Sequence, residues 1–419
     1  MDIEKTAAEL DQRVSAMIDR GLEAHDDQAF NALALDMFAY QYEANEFYHQ
    51  LCDRVGVKPG SISRWEEIPA LPTRAFKESV VASIAPENSD FALMTSGTSD
   101  PNLRGKVFQD KSSLANIIKA NNLITKKYCF PEFEKMTLGL LIPPPTMVPG
   151  MAMAFGMGFL LKSFGNEQSR YFISEKGLDI EGLCAFLKDA VDTQQPICLT
   201  GATSGFVMLF NHLREIGGKY ELPKGSLILD GGGYQGTFGN CSREDFYRLC
   251  NEFLGVQEHH CINGLGMAEC GTNYIDCVLS DYLAGRSDRE RQKISPPWAR
   301  TIVVGMRTGK PLPVGEIGLI RHIDITNRAT VVAIQTENLG YQTQDGFEII
   351  GRADQVTSVK DIAFVAGRAG KTVSQQAQAT PGAAMPHSHA CSTVTDQVLA
   401  HSHACSTVTD QILAKTGSE

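Results

Sequence analysis

The chain has 419 residues, with 38 Lys+Arg against 49 Asp+Glu and a formal net charge of −11. Hydrophobic residues make up 43% and charged residues 21%, the composition of an ordinary globular protein, and the length points to more than one domain. The acidic balance argues against nucleic-acid binding by phosphate neutralisation and against docking to anionic membranes. The 11 cysteines are scattered with no CxxC pair, which reads as reduced thiols in a cytoplasmic protein. The N-terminal MDIEKTAAELDQR lacks the apolar core of a signal peptide.

Residues 1–90 read as a helical N-terminal region and a connector. Ala7, Leu10, Val14, Met17, Ile18 and Leu22 recur near helical spacing, and Phe30 to Val57 continues it. IPALPTRAFK (68–77) reads as extended chain. Residues 91–294 alternate strand and helix. A strand at Phe91–Met94 runs into a small-residue loop, Thr95–Gly105, and helix resumes near Ser112. The longest uncharged run, Met136–Leu161, holds Pro143, Pro144, Pro145 and Pro149. It therefore reads as strand (Met136–Ile142), loop and a Met- and Gly-rich helix (Gly150–Phe164), not a membrane span. A strand at Pro196–Thr200 precedes a helix at Gly205–Glu215, and a strand at Ser226–Leu229 ends in Gly231, Gly232 and Gly233. This alternation predicts an α/β fold. Residues 295–354 read as a small β-rich subdomain, with strands at Thr301–Val304, Gly318–His322, Thr330–Gln335 and Phe347–Ile350. Residues 355–386 read as a linker. HSHACSTVTDQVLA (387–400) is then repeated as HSHACSTVTDQILA (401–414), differing only at Val398 and Ile412.

Three segments have the chemistry of a site. Thr95-Ser96-Gly97-Thr98-Ser99 offers small residues, so that backbone N–H groups can approach a phosphate, and hydroxyls that donate to it. It is not a Walker A loop, and the nearest such pattern, around Gly367–Thr372, lacks the first glycine. Gly201–Gly205 has the outline of a nucleophile elbow but holds Thr203 at its apex, so it reads as a tight strand–helix turn. Asn263-Gly264-Leu265-Gly266-Met267-Ala268-Glu269 brackets a turn with glycines and follows it with one carboxylate. That carboxylate is a hard ligand suited to Mg2+ beside phosphates, or simply an exposed glutamate. Thr336–Gly340 and Asp345–Asp354 form a hairpin with an Asp-Gly turn, ended by Gly351-Arg352.

In this order, with GGGYQG (231–236) between the first and second, these motifs resemble those of adenylate-forming enzymes over residues 60–354. Within that superfamily the chain resembles the acyl-protein synthetase branch (LuxE type) of bacterial luciferase operons, a relative of phenylacetate-CoA ligases. IPALPTRAFK, GGGYQG and HACSTVTDQVLA carry the likeness to that branch. The resemblance implies a large N-terminal adenylate-forming-type α/β domain, a small β-rich subdomain and a short mobile C-terminal segment. It also implies a reaction in which a carboxylic (fatty) acid and ATP give an acyl-adenylate, whose acyl group moves to an enzyme cysteine. An acyl-accepting reductase or carrier protein would receive it. Carried over by position, Thr95, Ser96, Gly97, Thr98 and Ser99 would hold ATP phosphates. Gly232, Gly233 and Tyr234 would line the adenine and carboxylate pocket. Gly266 and Met267 would belong to the cofactor-binding set, and Glu269 would take Mg2+. Asn338 would meet the ribose, and Arg352 would sit at a hinge and contact the nucleotide. Three positions depart from the superfamily pattern. Leu265 replaces an aromatic, Ala268 a threonine and Asn338 an aspartate, which removes ring stacking, a hydroxyl and a charge.

Cys391 and Cys405 each follow two histidines and precede a possible short helix, a setting that favours thiolate. They are the expected acyl acceptors. A rival reading of the repeat is metal binding by His387, His389 and Cys391 and by His401, His403 and Cys405. For the whole chain, a phenylacetate-type CoA ligase and a non-catalytic fold with a metal-binding tail remain as alternatives.

Overall fold

A computed structural model describes residues 2–95, 105–231 and 241–353. Three helices open the chain: α1 (Ile3–Asp19), α2 (Asp27–Ala44) and α3 (Glu46–Val55). Each starts where a side chain accepts an otherwise unpaired backbone N–H of its first turn: Asp2, Asp26 and Asn45. The connector forms strand β1 (Leu71–Pro72) and a single turn, α4 (Ala75–Glu78). Strands β2 (Phe91–Met94) and β3 (Lys106–Gln109) make an antiparallel ribbon, followed by α5 (Lys111–Tyr128), β4 (Thr137–Leu141) and α6 (Ala152–Phe164). Then come the short β5 (Arg170–Tyr171), β6 (Ile173–Ser174) and β7 (Gly177–Leu178), α7 (Ile180–Thr193), β8 (Ile197–Ala202), α8 (Thr203–Ile216), β9 (Leu227–Gly231) and α9 (Arg243–Leu254). The chain continues through β10 (Cys261–Met267), β11 (Cys270–Ile275) and α10 (Val278–Leu283). It ends in β12 (Ala299–Val304), β13 (Gly318–Asp324), β14 (Ala333–Gln342) and β15 (Phe347–Arg352).

The central sheet has the order β11-β10-β9-β8-β4-β5, all parallel except β11. Its inner strands are apolar on both faces, as a sheet covered on both sides requires. Leu138, Leu140, Cys198, Leu229 and Ile262 face the layer that includes α5 and α6. Leu141, Leu199, Ile228 and Cys261 face α7, α8 and α9. The turn from β8 to α8 is tight: a Cβ at Gly201, φ +154°, would lie 2.4 Å from the Leu141 carbonyl oxygen.

In the second sheet β12, β13 and β14 pair antiparallel, and β14 is ten residues long. One edge of β14 is shared. Leu71 and Pro72 pair parallel with Ile334 and Gln335, and β15 pairs with Asn338 to Gln342. The connector is thus an edge strand of a sheet built from residues more than 200 positions later. This sheet shares one continuous apolar core with α1, α2, α3, α5 and the α6 face of the central sheet.

Three expectations need correction. Of the predicted strand Thr330–Gln335, only Ala333–Gln335 is strand, as the start of β14. Residues 325–332 are a buried loop, and β14 starts at Ala333 because Gln41 holds Val332 N–H at 2.7 Å outside the ladder. Asn263–Met267 was expected as a turn and is strand β10, its glycines tolerated beside the β9 and β11 backbones. The exposed reading of Glu269 is wrong, because only 6% of it is exposed.

Candidate active site

In open α/β sheets, ligands bind beyond the carboxyl ends of the strands. Here β9 ends at Gly231, paired with Gly264 of β10, and β10 runs on to Met267. Glu269 lies in the two-residue turn between β10 and β11, where Met267 pairs with Cys270. Burial pushes its carboxyl from 4.5 up to about 7; its own backbone N–H and the charges of Lys77 and Arg352 pull it down, and Glu337 pushes it up.

Those neighbours arrive by sheet geometry. Because β1 and β15 meet end to end along β14, the turn α4 that follows β1 carries Lys77 toward the middle of β14. There Glu337 precedes Asn338, and Asn338 pairs directly with Arg352. The Arg352 guanidinium donates to Glu337 Oε2 at 2.7 Å. The Asn338 N–H donates to Thr336 Oγ1 at 3.1 Å. The structure therefore brings together Glu269, Asn338 and Arg352 of the expected set. It adds Lys77, whose motif was recognised in the sequence but whose role was not. Its signal was there: it is the one cation at the end of the connector motif.

The phosphate-loop candidate joins the same place through its stem. Thr95 N–H donates to the Gly105 carbonyl at 2.9 Å, and Gly105 N–H donates to Thr95 Oγ1 at 3.0 Å. Gly105 packs on α4 so closely that a Cβ would lie 1.9 Å from Phe76 O and 2.9 Å from Lys77 N. Only glycine permits that approach. Ser96, Gly97, Thr98 and Ser99 lie outside the described residues, as do Gly232, Gly233 and Tyr234 of the glycine-rich loop. Gly266 is exposed on β10, and Met267 is half-buried next to the Glu269 turn.

Glu269 suits Mg2+, which is usually held by one or two carboxylates together with substrate phosphates. Among the described residues no group of three His, Cys, Asp or Glu side chains forms a metal cage. Nine cysteines are described. All are buried except the half-buried Cys184, on α7 across the central sheet from α6. Burial pushes Cys52 and Cys277 up to about 12 and raises Cys129, Cys198, Cys250 and Cys270 as well. Cys391 and Cys405, and the whole repeat with its histidines, lie outside the described residues. Among the described residues, no helix is long and apolar enough to cross a membrane.

The sequence profile of a family described as acyl-protein synthetase, LuxE, matches residues 6–366. This chain belongs to that family. The match takes in Lys77, Glu269, Asn338 and Arg352 and ends before the tandem repeat. Two relatives are each named long-chain-fatty-acid–luciferin-component ligase. The one from Vibrio harveyi is 22% identical over 316 residues, 75% of this chain and 79% of the relative. The one from Aliivibrio fischeri is 22% identical over 311 residues, 74% and 78%. Among solved structures, an open conformation of 2-hydroxyisobutyryl-CoA ligase superposes with a TM-score of 0.59 at 12% identity, covering 80% of this chain and 71% of that one. That likeness shows that this LuxE-family chain shares the fold of that ligase.

Proposed function

We propose that this LuxE-family ligase activates a long-chain fatty acid with ATP and carries the acyl group on one of its own cysteines to a reductase or carrier protein. The observation that carries the reading is the meeting of Glu269, Lys77, Asn338 and Arg352 beside the Thr95–Gly105 stem. A carboxylate oxygen of the acid attacks the α-phosphorus of ATP, the bond to pyrophosphate breaks, and an acyl-adenylate remains. Glu269 would hold Mg2+, which when bound would neutralise charge at the phosphate oxygens. Lys77 and Arg352 add fixed positive charge, and the small residues of Thr95–Ser99 offer backbone N–H groups to the phosphates. A cysteine thiolate then attacks the acyl carbon and expels AMP, giving a thioester and leaving the thiol proton with solvent.

Cys391 and Cys405 are the proposed thiols, supported by the burial of the described cysteines near the site. The apolar helix α6 supports an acyl substrate. Only Ala154 and Phe164 of its 13 residues are buried, although most of its side chains are apolar. Its Met157 sulfur accepts the Thr200 hydroxyl at 3.3 Å, and the Met153 methyl lies 3.4 Å from the place a Cβ would occupy at Gly231. Methionines adapt to irregular apolar ligands.

The test is intact mass after incubation with ATP, Mg2+ and a panel of carboxylic acids, with and without coenzyme A. The expected product is a hydroxylamine-sensitive acyl adduct formed without coenzyme A. Acyl-coenzyme A without any protein adduct would favour the CoA-ligase reading, and no acid-dependent ATP–pyrophosphate exchange would sink both.

A further inference from the structure

A carboxylate in a two-residue turn is only as well placed as the backbone that carries it. Two asparagines hold this turn and the start of β11 behind it from different elements. From the loop between β13 and β14, Asn327 Oδ1 accepts the Gly271 N–H at 2.7 Å, and its Nδ2 donates to the Glu269 carbonyl at 3.2 Å. From α5, Asn121 Nδ2 donates to the Gly271 carbonyl at 2.7 Å, and its Oδ1 accepts the Asn273 N–H at 2.8 Å. Both backbone groups of Gly271 are thus held by side chains. A Cβ at Gly271 would lie 2.5 Å from Thr326 Oγ1 and 2.8 Å from Ile117 Cγ1, so the two elements close on a position only glycine can fill.

The Asn327 side of this clamp is itself locked. Asn327 is 1% exposed, and its carbonyl accepts from Gln41 Nε2 of α2 at 2.8 Å. Its neighbour Arg328, 2% exposed, donates to Asp11 of α1 and to Asp110, the residue that caps α5. Asp324 accepts the Thr272 N–H at 2.8 Å and the Thr326 hydroxyl at 2.6 Å.

We infer that Asn327 and Asn121 are positioning residues for the Glu269 carboxylate, and that the N-terminal helices act on the metal site through Gln41, Arg328 and this loop. The inference rests on Glu269 being the metal ligand. The chemistry demands a carboxamide, because each asparagine both donates and accepts. An aspartate in either place would set an oxygen against a backbone carbonyl and lose one bond.

The test uses the full chain and three variants: Asn327→Asp, Asn121→Asp and Glu269→Gln. Mn2+ binding in the presence of a non-hydrolysable ATP analogue is followed by electron paramagnetic resonance. ATP–pyrophosphate exchange is titrated with Mg2+, and amide hydrogen exchange is read over residues 269–273. For each asparagine variant we expect about fivefold to tenfold weaker Mn2+ binding, the scale of one lost hydrogen bond. Faster amide exchange in the turn should accompany it, with exchange activity largely recovered at saturating Mg2+. Glu269→Gln should not be recovered by Mg2+. Wild-type Mn2+ affinity in both asparagine variants, with binding lost in Glu269→Gln, overturns the positioning role alone. Unchanged binding in Glu269→Gln overturns the metal-ligand reading beneath it. Asn121 is only half-buried, so its variant carries the test if Asn327→Asp does not fold.

Discussion

Glu269→Gln should make the protein more stable while it disables the chemistry. Burial raises the Glu269 carboxyl from 4.5 to about 7, so the folded chain holds this proton more tightly than the unfolded chain does. Its contribution is therefore fully favourable below about pH 4.5 and is lost as pH rises through 7. By pH 8 the fold contains an ionised buried carboxylate at a cost of about 3 kcal/mol, from roughly 1.4 kcal/mol per pH unit of displacement. Lys77 and Arg352 already offset part of the desolvation. Glutamine keeps the shape and removes the ionisation. Urea unfolding without added metal should show the variant more stable than wild type by about 2–3 kcal/mol at pH 8, and nearly equal to it at pH 5. In parallel, acid-dependent ATP–pyrophosphate exchange should fall by at least about tenfold, because the metal clamp loses its charge. A variant no more stable at pH 8 than wild type would refute the buried, raised carboxylate. The physical reasoning for its role would go with it, since a solvated glutamate needs no metal to neutralise it.

Lys77→Met should lower exchange about tenfold by removing a fixed charge from the phosphate site. It should also push the Glu269 carboxyl higher still, so that in the same urea series the variant loses stability at higher pH than wild type does. Asn338→Asp should tighten ATP binding, measured by calorimetry, because a charged acceptor beside Arg352 bonds a ribose hydroxyl more strongly; unchanged or weaker binding would remove position 338 from the nucleotide site. Cys391→Ser and Cys405→Ser should each leave substantial hydroxylamine-sensitive acylation, and the double variant should abolish it while exchange continues. Peptide mass spectrometry that places the thioester on Cys261, Cys270 or another described cysteine would end the proposal for the tandem repeat.

The alternation of β4, α6, β8, α8 and β9 was legible from local pattern, because strands buried on both faces read as short apolar runs and their helices as periodic ones. The Asp345-Gly346 hairpin was legible too: Thr343 N–H donates to the Gly346 carbonyl at 2.9 Å, closing a turn whose residue types announce it. The order of TSGT, GGGYQG, the Glu269 turn and Arg352 was enough to point to the LuxE family, whose profile matches residues 6–366. Strand β10 was missed because Gly264 and Gly266 read as a turn, and only pairing to β9 and β11 makes them a strand. Lys77 was in view as part of a motif, but no local pattern says that Leu71 and Pro72 pair with Ile334 and Gln335. Nor does any spacing show that Asn121 and Asn327 close on the turn bearing Glu269, or that this glutamate is buried. Composition and periodicity act over a few residues and so determine which segments become strand, helix or turn. Burial, pKa and the meeting of Glu269, Lys77 and Arg352 depend on which distant segments share a sheet edge, and that is decided only when the whole core closes.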